Sequence, residues 1–384
     1  MPTASIHRLA RISLSIFIVS VVASTTACSF YVDRIARTGP AQQPVQQQQA
    51  QSNPPKERVP SNDPDERAFA QNIYELLRQR DFQKLEELGA SVINNKARFK
   101  GGTWKSYDFD QTLSDPPGEL SPDDAAWESH ISMLQEWANR SPDSILAKTA
   151  LANAYIGYAW YARGDGWASS VKPEAWTKVN ERIEHASKIA EEALKLQKEY
   201  TGYFELLLLL AKVQGWERKS FDAAFDAAVK FEPTYYYFYL RKAEYLMPRW
   251  QGAQGEWEDF AERTKADLGG KQGQEMYFVI VSDISGNYGN EFFDQNRVSW
   301  QETKKGFELW KKDFGTDRYR LNQLGRLAIH ANDPPTACAI FSQLQGDNDF
   351  EPDVWVNRKE FESYRTMAVQ YCKTPWPLDR KPRD

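Results

Sequence analysis

Pairs of amphipathic stretches recur along this chain at the spacing of helices that pack as hairpins. The clearest pair carries Leu321, Leu324, Gly325 and Ala328, then Ala337, Phe341 and Leu344. A looser copy upstream carries Phe204, Leu207, Leu208 and Ala211, then Phe221, Phe225, Ala228 and Pro233. One hairpin cannot bury both of its faces alone, so repeated hairpins must stack. The spacing therefore predicts an all-α fold whose body is a solenoid of α-α hairpins.

Small residues in these pairs let helices approach closely, and bulky residues fill the space between neighbouring hairpins. A further pair is split by an insertion over residues 162–179, which is the largest departure from the repeat. Across all pairs, the residues expected to pack the repeats are Leu151, Ala152, Tyr155, Phe221, Phe225, Ala228, Pro233, Leu324, Gly325, Ala337 and Phe341.

The N-terminus has the pattern of an export signal. Arginines precede an apolar run over residues 12–23, which is shorter than the roughly 20 residues that span a bilayer. Residues 1–27 are therefore expected to be a signal peptide. Cys28 follows Ala27 and resembles the bacterial lipoprotein cleavage box, although Thr25 stands where that box most often has Leu. The alternatives are a lipid anchor at Cys28, which we expect, and an incidental cysteine after a plain cleaved signal.

The resemblance to a lipoprotein implies attachment to the bacterial cell envelope, and Ser29 fits an outer-membrane lipoprotein that faces the periplasm. Residues 28–65 are rich in Gln and Pro and almost lack large apolar side chains, so they are expected to form a disordered linker. Residues 66–120 are predicted to form a first helical hairpin and a connector, and residues 121–384 the repeat domain.

Net charge and motifs narrow the classes of function. The chain carries a formal charge of −5, so it has no basic field for a nucleic acid. Its histidines are isolated, and no cysteine stands at metal-ligand spacing. No nucleophile elbow and no phosphate-binding glycine loop is present. We therefore expect no catalytic residue, no metal, no cofactor and no nucleic-acid partner.

Cys338 and Cys372 allow two interpretations, because an exported chain meets an oxidising compartment. They could be two buried thiols that act as small apolar residues. Alternatively, one disulfide bond ties the final helix to the last repeat. The sequence leaves both open.

Aromatic side chains are abundant between residues 235 and 257. Five consecutive aromatics in one helix cover every face, so some must point away from their own hairpin. Neighbouring helices could cover them all. The functional alternative is an aromatic groove with Tyr236, Tyr239, Trp250 and Trp257 as anchors for a partner.

The repeat spacing resembles the tetratricopeptide repeat superfamily over residues 144–344. A more specific resemblance is to an uncharacterised bacterial family, the domain of unknown function numbered 4034. It is carried by residues 155–160, 233–239, 248–250 and 255–261, with sequences YIGYAW, PTYYYFY, PRW and GEWEDFA. This resemblance implies a TPR-like fold and no assigned activity.

The main hypothesis is an envelope-anchored scaffold that binds a protein partner through a concave aromatic groove and attaches to the membrane through its lipid. The alternative is a glycan- or small-ligand-binding periplasmic module in which the 162–179 insertion acts as a lid. A third possibility, a hydrolase, would need convergent carboxylates that no sequence pattern shows.

Overall fold

The computed structural model describes residues 63–117, 122–164, 170–370 and 372. These residues form sixteen helices and no β-strand. The helices are α1 Pro64–Gln79, α2 Phe82–Asn94, α3 Lys105–Ser114, α4 Asp124–Arg140, α5 Ile145–Arg163, α6 Pro173–Lys195, α7 Thr201–Val213, α8 Arg218–Phe231, α9 Tyr236–Tyr245, α10 Glu256–Leu268, α11 Gly270–Ser285, α12 Phe292–Gln295, α13 Trp300–Phe314, α14 Arg318–His330, α15 Pro334–Phe341 and α16 Arg358–Gln370. The all-α prediction is confirmed for this part of the chain.

Polar side chains define many of the helix starts. Asp63, Asp123, Ser144, Ser299 and Asp317 each accept a hydrogen bond from a backbone N–H of the first turn. Such caps satisfy donors that have no partner within the helix, and each stabilises its helix by about 1 kcal/mol. These local signals set where each helix begins.

From α3 onwards, most of the helices form two layers. An inner row runs α3, α5, α7, α9, α11 and α14, and each member packs against the next. Helices α6, α8, α10, α13 and α15 form the outer layer, and each packs against an inner helix. The apolar core lies between the rows, because the inner helices bury long apolar runs such as residues 206–208 and 276–281.

One loop lies across the inner row. Residues 95–104, here called the crossing loop, connect α2 to α3. Lys96 forms a salt bridge with Glu232, N to O 2.6 Å, and the Trp104 ring lies 5.1 Å from that of Tyr235. The Gly101 N–H donates to the Phe314 carbonyl at 2.9 Å. The crossing loop therefore joins the start of α9 to the end of α13.

Two segments differ from the sequence prediction. The expected irregular connector contains helix α3, whose buried residues Phe109 and Leu113 face the core. The 162–179 insertion is also shorter than expected, because α5 continues to Arg163 and α6 begins at Pro173. Proline at the first position of a helix is favourable, since its missing N–H would be unpaired there.

Cys338 and Cys372 form a disulfide bond, with Cα atoms 5.3 Å apart. The bond joins α15 to the chain just after α16, so of the two interpretations the structure shows the bridge. No helix in the described part of the chain is both long and apolar enough to cross a bilayer. The expected signal peptide, Cys28 and nearly all of the expected linker lie outside the described residues, as do residues 165–169 of the insertion.

Candidate functional site

Charged and phenolic side chains gather on the inner row of helices. Five inner helices contribute to this group, which we call the inner-face cluster: Tyr107, Glu205, Lys212, Tyr237, Arg241, Glu244, Asp283, Tyr319 and Arg320. Most of its members are partly exposed, and Glu205, Lys212 and Arg320 are buried. Solvent therefore reaches part of this polar region, as in many ligand sites.

Helix α9 supplies the centre of the inner-face cluster. Tyr237, Arg241 and Glu244 are separated by four and three residues, so they share one face of the helix. Glu205 and Lys212, seven residues apart on α7, lie opposite them. The acid precedes the base on α7 and the base precedes the acid on α9, so opposite charges on the two helices face each other.

Four of these charges form a continuous chain of salt bridges. The Arg241 Nε donates to Glu205 at 2.6 Å, and its Nη1 lies 3.4 Å from Glu244. The Lys212 ammonium lies 2.6 Å from Glu244 Oε2, so Glu244 links Lys212 to Arg241. Burial alone would raise the pKa of Glu244, but Lys212 and Arg241 lower it to about 2. Glu244 is therefore ionised at neutral pH.

Asp283 and Arg320 remain outside this chain of salt bridges. Among the described residues, neither forms a salt bridge, and the Asp283 carboxylate accepts no hydrogen bond. Asp283 is partly exposed, and neither of its carboxylate oxygens is sealed from solvent. Arg320 is only 4% exposed, and its Nε has no hydrogen-bond partner. The cluster thus contains one unpaired anion and one unpaired cation.

The pKa of Asp283 reflects this position. Burial, and then the nearby Glu244 carboxylate, raises the pKa of Asp283 to about 6, while Arg320, Arg241 and Lys212 oppose the rise. The charged form of an uncompensated carboxylate is costly inside a protein. Groups with such strong perturbation concentrate at functional sites.

Aromatic rings line the same region. Tyr107 and Tyr237 are stacked, with ring centroids 3.4 Å apart and planes 9° apart. The Tyr236 and Tyr237 hydroxyls form a 2.9 Å hydrogen bond. Burial raises the pKa of Tyr107, Tyr237 and Tyr319, so these phenols are neutral at physiological pH and can donate a hydrogen bond.

Three of the four expected partner anchors are buried. Tyr236, Tyr239 and Trp257 have side chains that are 1%, 3% and 0% exposed, so in this structure they offer no surface to a partner. Neighbouring helices and the crossing loop cover them. In the crossing loop, for example, the Arg98 guanidinium lies 5.9 Å from the Tyr236 ring. Trp250 alone among the four is partly exposed, and the Lys212 ammonium lies 4.5 Å from its ring.

The expected repeat-packing residues divide by burial. Tyr155 is partly exposed, and its ring stacks on that of His185 with centroids 5.2 Å apart. Pro233 is exposed in the loop before α9, and its carbonyl accepts a hydrogen bond from the Tyr239 hydroxyl. The buried members are Leu151, Ala152, Phe221, Phe225, Ala228, Leu324, Gly325, Ala337 and Phe341. Pro233 therefore shapes the loop and does not fill a hairpin interface.

Sequence reasoning missed the inner-face cluster. One local signal was available, because Tyr237, Arg241 and Glu244 place a polar stripe on a helix that is otherwise aromatic. The isolated histidines are structural where the contacts are clear: His130 is buried, its Nε2 lies 2.9 Å from the Leu113 carbonyl, and burial lowers its pKa to about 4.

A second concavity lies between α2 and the loop before α5, lined by Glu86, Asn94, Lys198 and their neighbours. Its lysine donates to the Asp143 carbonyl, so that charge is already engaged. Within the described ranges, no group of three or more His, Cys, Asp or Glu side chains is placed to hold a metal ion. The inner-face cluster is the stronger candidate, since it keeps unpaired charges.

Comparison with known proteins gives no relative to argue from. No protein-family description, no curated protein and no solved structure matches the chain. The contacts of the molecule itself must therefore support any functional conclusion.

Proposed function

We propose that this chain is an exported, envelope-anchored helical-repeat module that binds a small polar ligand at the inner-face cluster. The observation that carries the proposal is the unpaired Asp283 and Arg320 in a region that solvent reaches. An unpaired charge inside a protein costs stability, and perturbed titratable groups concentrate at functional sites. The salt-bridged residues around it hold the site in one shape.

The other parts of the proposal have their own support. The paired Cys338 and Cys372 fit a compartment where disulfide bonds persist, in agreement with an export signal and a lipid anchor at Cys28. Successive helix pairs with a small residue at the crossing, such as Gly325, fit a TPR-like solenoid. Kinship with the domain of unknown function numbered 4034 stays a prediction.

Thermal stability of the purified full chain tests ligand binding. A ligand at 100 times its Kd raises the free energy of unfolding by about 2.7 kcal/mol. We expect at least one compound in a panel of amino acids, saccharides and cell-wall fragments to raise Tm of the wild type and of Asp226→Asn, but not of Asp283→Asn. Asp226 is an exposed carboxylate on outer helix α8, so its variant is a charge-matched control. If every stabilising compound acts equally on Asp283→Asn, the site is wrong.

A protein-partner scaffold is a second candidate, on different residues from those first expected. Tyr161 is 41% exposed and stacks on Tyr158 at 6.0 Å, next to Trp127. An exposed ring supported by buried rings suits a protein contact. Crosslinking in cells would compare the wild type with Tyr161→Ala, and one client that is lost only in the variant would favour the scaffold. Identical crosslinks in both would remove this candidate.

A further inference from the structure

We infer that the ligand of the inner-face cluster is a zwitterion of the α-amino-acid type, with its ammonium group at Asp283 and its carboxylate at Arg320. This inference rests on the proposed function and names the chemical class that the site accepts. Its basis is that the two charges left unpaired in the cluster have opposite signs and do not pair with each other.

Neutral groups contact the Arg320 guanidinium directly, and the helix-capping Asp317 interacts with it electrostatically without forming a salt bridge. The guanidinium lies 5.1 Å from the Trp310 ring and 5.5 Å from the Tyr236 ring, and its Nη1 donates to Gln323 at 2.8 Å. These contacts orient the guanidinium without neutralising it. The remaining N–H groups form the planar fork that binds a carboxylate in a bidentate manner.

Asp283 is suited to bind the ammonium group of the ligand. Its carboxylate is partly exposed and accepts no hydrogen bond from the described residues, whereas Glu205 and Glu244 are both engaged by Arg241. An ammonium group donates three hydrogen bonds and would satisfy it. The phenols of Tyr107 and Tyr319 interact electrostatically with Asp283, and because burial raises the pKa of both, they are neutral hydrogen-bond donors at physiological pH.

The overall charge of the cluster favours a zwitterion over a simple ion. With the two charged neighbours Arg249 and Asp317 included, the anions Glu205, Glu244, Asp283 and Asp317 balance the cations Lys212, Arg241, Arg249 and Arg320. A monovalent anion would neutralise Arg320 but approach the uncompensated Asp283, and a monovalent cation would leave Arg320 unpaired. A neutral saccharide offers hydrogen bonds but no charge to either. A zwitterion pairs both groups and leaves the net charge unchanged.

Titration calorimetry on the full chain tests the inference from the ligand side. The probes are glycine, L-alanine and L-phenylalanine, each compared with its N-acetyl and its carboxamide derivative. Blocking either end removes one charge contact, so we expect at least tenfold weaker binding for each derivative of an amino acid that binds, which corresponds to about 1.4 kcal/mol. Equal affinity of parent and blocked forms would overturn the inference.

Protein variants test the two contacts separately. Asp283→Asn should weaken the parent amino acid at least tenfold but change binding of its N-acetyl form much less, because that form has no ammonium group. Arg320→Gln should weaken the parent amino acid at least tenfold but change binding of its carboxamide much less, because that form has no carboxylate. Arg263→Gln, at an exposed position on α10, is the matched control. Circular dichroism shows whether Arg320→Gln folds; if it does not, Asp283→Asn and the blocked ligands decide.

The two proposals fail in different ways. Binding of saccharides that depends on Asp283, with no binding of amino acids, would overturn the zwitterion and leave the ligand site standing. Absence of binding by every amino acid, saccharide and cell-wall fragment would overturn both.

Discussion

The indole Nε1 of Trp310 donates a hydrogen bond to the carbonyl of Gly101 at 2.7 Å, joining residues that are 209 positions apart. The Gly101 N–H in turn donates to the Phe314 carbonyl. Both backbone groups of Gly101 therefore attach the crossing loop to the end of α13. This attachment holds the N-terminal helices against the inner row and so supports one side of the inner-face cluster.

Gly102→Ala should loosen that attachment. Gly102 has φ of +93°, and an added Cβ would lie 2.2 Å from the Trp310 ring. Backbone strain and displacement of the indole should together lower the free energy of unfolding by about 2–4 kcal/mol. Urea denaturation followed by circular dichroism measures this loss.

Gly270→Ala is the control for backbone strain alone, because Gly270 has φ of +49° and nothing lies within 4 Å of an added Cβ. It should cost only about 1 kcal/mol. Equal losses in the two variants would show that the contact with Trp310 does not matter.

Gly325→Leu should overpack the crossing of α14 and α15. An added Cβ at Gly325 would lie 3.3 Å from Ile340 and 3.4 Å from Phe341, so one methyl group is tight and three further carbons exceed the space. We expect Leu to cost about 1–3 kcal/mol of stability. Gly325→Ala should be nearly neutral, since its better helix propensity offsets the tight contact. An unchanged Tm for Gly325→Leu would contradict the close approach of these helices.

Removing the disulfide bond should destabilise the C-terminal part of the chain. The bond closes a separation of 34 residues, for which loop-closure entropy gives about 2–4 kcal/mol. Cys338→Ser combined with Cys372→Ser should therefore lower Tm. Dithiothreitol should lower Tm of the wild type by a similar amount and leave the double variant unchanged. If dithiothreitol left the Tm of the wild type unchanged, that result would argue against the disulfide bond.

Asp283→Asn should stabilise the protein at neutral pH. The folded-state pKa of Asp283, about 6, exceeds its ordinary value of 3.8, so the folded state favours the protonated carboxyl. This carboxyl therefore weakens the fold progressively as pH rises from about 4 to about 6, and the loss persists above pH 6. Because solvent reaches the carboxylate, we expect the Asn variant to gain only about 1–2 kcal/mol at pH 7.

The gain of Asp283→Asn should disappear near pH 4, where the wild-type carboxyl is also neutral. Asp226→Asn, which removes an exposed carboxylate from the outer layer, is the charge-matched control. Chemical denaturation of the three proteins between pH 4 and pH 8 makes the comparison. A constant offset across that range would contradict the raised pKa of Asp283.

Local patterns predicted much of the fold but little of the candidate site. Asp123 and Ser144 act at helix starts through their nearest neighbours, and the spacing around Gly325 indicates one hairpin. Helix α3 was missed, because turn residues on both sides, at Gly101-Gly102 and Pro116-Pro117, obscured a short helix. Tyr236 was expected to be exposed to a partner but is buried, because residues far along the chain, such as Arg98, cover it.

The sequence by itself determined that this chain is helical and where many of its helices begin, because periodicity and capping act within a few residues. Only the tertiary structure decided which charges are left unpaired. Asp283 and Arg320 are ordinary residues in the sequence, and they become distinctive because Lys212 and Arg241 reach Glu244 and Glu205 instead. Charge pairing depends on distances between helices that only packing sets, so no pattern along the chain could show it.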